Sequence, residues 1–296
     1  MESAGEPVAN RRKPSWIKAP LPTGTGYSTV RSLVDRNRLH TVCQSARCPN
    51  IASCWNSGTG TFLILGTMCT RSCRFCAIEN GQPGELDPEE PSRVARAVNC
   101  LGLNYAVVTS VTRDDLPDGG SSLFAKTVQS IRAIRPDCRV EVLIPDFAGS
   151  MQALETVLDA GPDVLNHNVE TIPRLYPLVR PSAHWNRSLE ILSYTARKGF
   201  LSKSGLMVGL GESRAELTAA LTELVAADVQ ILTIGQYLAP TAGHHPVARY
   251  VPSEEFEEIR EEAQSLGFRI VVAGPLVRSS YRAEQAWRAC LMTAPA

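Results

Sequence analysis

No apolar run in this 296-residue chain approaches the ~20 residues that a membrane-spanning helix requires. The opening stretch, MESAGEPVANRRKPSW, lacks the apolar core of a secretory leader. Net charge is absent too, since 30 Lys+Arg balance 30 Asp+Glu, and this removes any global electrostatic case for nucleic-acid binding. No self-similar period runs along the chain, which argues against a solenoid. The reading is a soluble, cytoplasmic protein with neither a membrane nor a nucleic acid as partner. Hydrophobic residues at 44% and charged residues at 20% are ordinary for a globular chain. The length suits one large α/β domain or two small ones.

From Phe62 onward, apolar runs of strand length recur: FLILGTM (62–68), YAVVTSV (105–111), RVEVLIP (139–145), DVLNHNVE (163–170), SKSGLMVGL (202–210), QILTIGQY (230–237) and RIVVAGP (269–275). Such near-continuous runs predict strands buried on both faces of a parallel sheet. Segments of helical spacing separate them, among them SSLFAKTVQSIRAI, SRAELTAALTELVAA and SEEFEEIREEAQSLG, with Ser92, Ser188, Ser213 and Ser253 as candidate N-caps. Strand starts recur every roughly 25 to 45 residues, the footprint of βα units. No G-x-G-x-x-G follows the first strand, which weakens a doubly wound dinucleotide-binding fold. The expected fold class is α/β: a partial or closed parallel (β/α) barrel of TIM type with about six to seven βα units. Residues 1–60 read as an N-terminal extension with one helix in TVRSLVDRNRL, 61–275 as the barrel and 276–296 as a C-terminal extension. Barrel chemistry belongs at the C-terminal ends of the strands, and Cys69 directly follows the first run.

Nine cysteines are present, and six of them fall between Cys43 and Cys76. In a reducing compartment such crowding points to metal or redox chemistry rather than disulfides. Cys69, Cys73 and Cys76 form a C-x3-C-x2-C triplet; Cys43, Cys48 and Cys54 form a C-x4-C-x5-C triplet. A structural zinc site asks for four ligands, whereas three thiolates on one loop suit an iron–sulfur cubane with one iron left open. The second triplet needs a distant fourth ligand, for which Cys290 is the only cysteine near the end of the sequence. Ser279, on residue type alone, reads as the N-cap of SYRAEQAWRA. Cys100 and Cys138 read as inert small residues.

The triplet Cys69-Thr-Arg-Ser-Cys73-Arg-Phe75-Cys76, placed after a barrel strand, resembles the radical S-adenosylmethionine superfamily. TVCQSARCPNIASCW, TMCTRSCRFCAI, TSVTRDDLPDGG, NHNVETIPRLYPLVRP, KSGLMVGLGE, IGQYLAPT and GPLVRSSYRAE, in this order, resemble the lipoyl synthase family within it, over Thr41 to Ala283. The resemblance implies S-adenosylmethionine and two [4Fe–4S] clusters as cofactors. One, on Cys69, Cys73 and Cys76, chelates S-adenosylmethionine and cleaves it to methionine and a 5′-deoxyadenosyl radical. The other, on Cys43, Cys48, Cys54 and Ser279, gives up sulfide. A serine oxygen is a hard ligand for iron in sulfur-rich surroundings, so that iron would be weakly held. The reaction implied is insertion of two sulfur atoms at C6 and C8 of a lysine-bound octanoyl chain. Its partners would be octanoylated lipoyl-carrier domains or a glycine-cleavage H-type protein, an electron donor and a factor that rebuilds the spent cluster. Asn168 and Glu170 are placed near the nucleoside of S-adenosylmethionine by the same resemblance.

Other residues carry weaker signals. Strand alternation puts Asn166, Asn168 and Glu170 on one face, with His167 turned away as a structural histidine. Asp114 and Asp115 read as part of a ligand-holding loop or of a plain turn. The basic stretch from Arg174 through Arg180 and His184 to Arg187 reads as a dock for an acidic carrier or as a solvated loop. His244, His245 and Tyr250 read as lining for the barrel mouth, and Lys203 and Ser204 fall at the wrong end of their strand for chemistry. Three rivals stand against the sulfur-inserting reading. A tRNA methylthiotransferase would show a basic face, an electron-transfer protein would not need so large a barrel, and a zinc protein would want a different ligand pattern.

Overall fold

The computed structural model describes residues 13–293. The first twelve residues of the expected N-terminal extension and the last three of the C-terminal one lie outside the described residues. All seven predicted runs form strands. One sheet carries eight, in chain order: β1 (His40–Thr41), β2 (Thr61–Ile64), β3 (Tyr105–Ser110), β4 (Arg139–Leu143), β5 (Val164–Asn166), β6 (Leu201–Val208), β7 (Ile231–Gln236) and β8 (Ile270–Gly274). Strands β2 to β8 are parallel to their neighbours, and the short β1, unforeseen in the sequence, pairs antiparallel with β2. Among the described residues no ladder joins β8 back to the other edge, so the partial form of the barrel holds and the closed form does not.

Several strands end earlier than their apolar runs. β2 stops well short of Met68 because Leu65 and Gly66 take left-handed backbone, φ 69° and 91°. The Leu65 amide leaves the ladder to donate to Glu90 Oε2 at 2.8 Å. This turn releases the cysteine loop. Of the four expected caps only Ser213 is one, completing a reciprocal pair with Glu216. Ser92, Ser188 and Ser253 lie inside their helices, which start at Glu90, Trp185 and Ser253. Pro91, at home in a first helical turn, moves the first of these starts upstream.

The described part of the N-terminal extension holds more helix than its sequence suggested. Helix Thr25–Arg36 packs on helix Ile51–Asn56, with Tyr27 and Trp55 rings 5.0 Å apart, and Val30, Val34 and Trp55 join the same buried cluster as β2, β3 and β4. The segment after β8 crosses the open seam of the sheet. Asn50 Nδ2 donates to Leu276 O at 2.6 Å, and Thr61 Oγ1 meets Ser280 Oγ at 2.8 Å. Among the described residues no helix is long and apolar enough to cross a membrane.

Inside the sheet sits a buried polar plug. Lys203 Nζ donates to both oxygens of Glu141 at 2.8 and 3.0 Å, Tyr105 donates to Glu141 at 2.7 Å and Asn166 donates to it at 3.1 Å. Asn166, expected beside Asn168 and Glu170, therefore belongs to the plug. β5 ends at Asn166, and strict alternation lapses beyond a strand's end. Lys203 is structural, as its position foretold.

Candidate active site

Cys69, Cys73 and Cys76 ride on an irregular loop whose backbone is bonded to its surroundings at almost every turn. Cys69 exchanges bonds with Glu79 and Gly81 at 2.9 Å each, Thr70 N donates to Thr112 O at 3.0 Å, and Arg74 N donates to Val179 O at 2.8 Å. From the other side, His245 N donates to Arg74 O at 2.9 Å and His244 Nε2 lies 3.0 Å from Cys76 O. The two histidines thus brace the loop through its backbone. Arg71, between the first two cysteines, is the side-chain anchor. It meets Asp114 at 2.6 and 2.8 Å and the buried Asp146 at 2.6 Å, and Asp146 also takes Arg187 at 3.1 Å. Burial alone would push the Asp146 carboxyl up, but its bond to Arg71, with the charges around it, brings it down to about 2. Asp114 and Asp115 are committed to Arg71 and Arg113, so they fasten loops and leave no free carboxylate pair for a ligand.

The six thiols are all free, and each triplet's members lie within electrostatic reach of one another. Cys73 and Cys76 lie within electrostatic reach of Cys69 and of Glu170, and burial above all pushes the Cys76 thiol up to about 12. Burial likewise raises Cys43 to about 11, against the Thr61 backbone and Trp55 indole, which favour its thiolate. Cys54 goes to about 12 through burial and then through Cys43 and Cys48. Buried thiols whose thiolates would repel one another stay protonated until a cation arrives to favour the anion. Among the described residues no three His, Cys, Asp or Glu side chains close around a single ion. Three thiols on one short stretch, twice over, are a donor set that fits a cubane with one iron left for another ligand.

Ser279 lies half-buried in the turn after β8. Its neighbour Ser280, not Ser279, is engaged by Thr61. Arg278 comes within electrostatic reach of Cys48 and Arg282 within reach of Cys54, so the segment bearing Ser279 faces the Cys43–Cys54 triplet. Cys290, its rival, is fully buried with Ile231 and Ala286 in a small apolar cluster that holds no other cysteine. The expected cap role of Ser279 also lapses, because helix Ala283–Met292 starts later, behind Arg282.

At the barrel mouth, Asn168 meets Glu170, Nδ2 donating to Oε1 at 3.0 Å. Glu170 sits at φ 64°, its backbone bonded to Gly205 O and Met207 N. Burial raises its carboxyl, with Arg180 and Asn168 opposing. Asn168 Oδ1 and Ser110 Oγ are buried without partners among the described residues, and a Cβ on Gly205 would stand 2.9 Å from Asn168 Oδ1. An orphaned acceptor and hydroxyl at strand ends are groups a polar ligand satisfies. His167 is structural, with Ile144 O at 3.0 Å and Ser188 Oγ at 2.9 Å.

The basic stretch fails as a free docking face. Arg174 is held by Glu216 and Gly211, Arg187 by Asp146, and Arg180 is buried, donating to Asn168 O and Val169 O at 2.9 Å. Sequence reasoning missed Arg71, Asp146 and Arg278. Their adjacency to Cys69, to the end of β4 and to Ser279 was the only signal.

The chain matches the radical SAM superfamily over residues 63–224, and the N-terminal domain of lipoyl synthase over residues 4–48. It is 54% identical to lipoyl synthase of Rubrobacter xylanophilus over 92% of this chain and 86% of that one. It is 54% identical to lipoyl synthase of Thermus thermophilus over 95% and 88%. Among solved structures, methylornithine synthase shares the fold with a TM-score of 0.53 at 14% identity, covering 83% of this chain and 76% of that one.

Proposed function

The chain belongs to the lipoyl synthase family of radical S-adenosylmethionine enzymes, and from that membership we propose how its own residues divide the work of sulfur insertion. The family uses S-adenosylmethionine and [4Fe–4S] clusters and acts on octanoylated lipoyl-carrier proteins. Cys69, Cys73 and Cys76 hold the cluster that binds S-adenosylmethionine, while Asn168 and Glu170 receive its nucleoside. Cys43, Cys48, Cys54 and Ser279 hold the auxiliary cluster. When bound, the first cluster supplies the electron that opens S-adenosylmethionine to a radical, and the second supplies sulfur for C6 and C8 of the octanoyl chain.

The protein's part is placement. Arg71, Asp114 and Asp146 fix the first cysteine loop at the mouth, and Asn168 Oδ1 waits as an acceptor for a ligand hydroxyl or amine. Residues 1–60 bring the auxiliary cysteines, residues 61–275 the barrel, and residues 276–296 the serine that closes the set. The mouth must keep out water and stray hydrogen donors while the radical lives. A lipoyl-carrier domain or glycine-cleavage H-type protein presents the octanoyl-lysine, and an electron donor and a cluster-rebuilding factor complete the cycle in the cytoplasm.

The observation that carries this reading is the separation of six free thiols into two triplets, one facing Glu170 and the other facing the segment that bears Ser279. It is tested by anaerobic reconstitution of the unaltered chain, Cys43→Ala, Cys69→Ala and Ser279→Ala. Each is then incubated with S-adenosylmethionine, reductant and an octanoylated lysine peptide. Cys69→Ala is expected to abolish both 5′-deoxyadenosine and sulfur insertion, and Cys43→Ala sulfur insertion alone. Loss of both products in Cys43→Ala would refute the division of roles.

A further inference from the structure

Arg278, directly before Ser279, enters the fold in an unusual way. Its side chain lies across Gly235 of β7. A Cβ there would stand 2.1 Å from Val277 O and 3.1 Å from Arg278 Nη1, so a glycine is what makes room for this segment. The only hydrogen bond the guanidinium makes among the described residues is from Nη1 to Val277 O, at 2.6 Å. No carboxylate lies within ion-pair distance of it among the described residues. It does lie within electrostatic reach of two groups, Cys48 on one side and Glu170 on the other. Burial disfavours its charge, yet a guanidinium keeps its proton in proteins. A half-buried cation without a formal partner is a group that an incoming anion would satisfy. Four residues on, Arg282 sits at φ 52°, exposed, and within reach of Cys54. One short segment therefore brings cations to two of the three auxiliary thiols.

We propose that Arg278, with Arg282 as a weaker companion, is the counter-charge of the auxiliary cluster: a positioning residue that holds this anionic cluster and sets its reduction potential. The proposal rests on the ligand assignment above. A [4Fe–4S]2+ core with four anionic ligands has a net charge of about −2, and the potential of such a cluster follows the charge and hydrogen-bond donors around its sulfurs. Arg278, half-buried, acts more strongly than the exposed Arg282, which is screened by salt.

The test uses the full chain carrying Cys69→Ala, Cys73→Ala and Cys76→Ala, which leaves the auxiliary site alone. Iron and sulfide are counted, and the potential is read by EPR-monitored redox titration. With Arg278 intact this background is expected to carry one cluster. If it carries none, the ligand assignment falls and the inference with it. Arg278→Gln and Arg278→Met are expected to shift the potential to more negative values or to lose the cluster, while Arg278→Lys keeps it near the unaltered value. Arg282→Gln, at an exposed position where folding is not at stake, is expected to give a smaller negative shift that high salt abolishes. Full loading at an unchanged potential in Arg278→Gln and Arg278→Met overturns the inference and leaves the ligand assignment standing. Loss of the cluster in Arg278→Lys as well, with a native circular dichroism spectrum, also overturns it, because charge would then not be the property that matters.

Discussion

Arg71 and Asp146 meet at 2.6 Å, the first from the cysteine loop and the second from the loop after β4. Their side chains are 7% and 1% exposed, which puts the pair in the regime where breaking it is expensive. Asp146→Asn strips Arg71 of one of its two anions and Arg187 of its carboxylate. A loss of about 3 kcal/mol of stability is expected, measured by urea denaturation. A fall in iron bound by the Cys69 triplet is expected with it, read in a Cys43→Ala background. Normal loading and an unchanged midpoint would show that the loop does not depend on this anchor.

Acid should destabilise the protein in two stages. His167 is buried neutral, and burial first, then Arg180, lowers its pKa from 6.5 to about 4. A base whose folded pKa is depressed contributes stability that is full above its unfolded pKa and is lost as pH falls from there toward its folded value. The window is pH 6.5 to 4, with about 3 kcal/mol at stake. Asp146, down from 3.8 to about 2, adds about 2 kcal/mol that disappears between those values. Urea midpoints measured from pH 7 to 3 should fall first across the histidine window, and a His167→Gln variant should flatten that part of the curve.

Lys203 and Glu141 are each 1% exposed and bonded at 2.8 Å. Lys203→Met leaves the Glu141 carboxylate buried with only Tyr105 and Asn166, and is expected to cost about 3–5 kcal/mol. Adding Glu141→Gln removes the stranded charge and should recover most of that loss in a thermal melt. If the double variant is no more stable than the single one, the plug matters for its shape and not for its charges.

Gly235→Ala drives a methyl group against the Val277 carbonyl, a backbone atom that cannot swing aside. The segment bearing Ser279 must shift. Iron content is expected to fall by about half as the auxiliary cluster is lost, with S-adenosylmethionine cleavage retained. Unchanged iron would show that the segment has slack.

The seven parallel strands were legible because each spells an apolar run, most of them buried on both faces and β8 only partly so. Cap positions were less so: Ser213 announces itself with Glu216, whereas Ser92 is overruled by Pro91. The cysteine triplets could be read from spacing alone; the bond of Asn168 to Glu170 could not, because both lie beyond the end of β5, where alternation no longer applies. The anchors could not. Arg71 finds Asp114 and Asp146 only through loops from different βα units, and a list of charges does not reveal who pairs with whom. For the same reason the Arg174–Arg187 stretch looked like a free cationic surface, although its arginines are taken up by Glu216, Asp146 and backbone carbonyls.

The seam between β8 and the opposite edge is bridged by Asn50 reaching Leu276, partners 226 positions apart in the chain. That bridge has a temporal meaning. During synthesis the early cysteines emerge long before the segment that must meet them, and every parallel strand has to be laid down in between. If Ser279 closes the proposed auxiliary set, that set is complete only once the barrel is, and a half-made chain would offer scavenging iron three thiols and no finished cage.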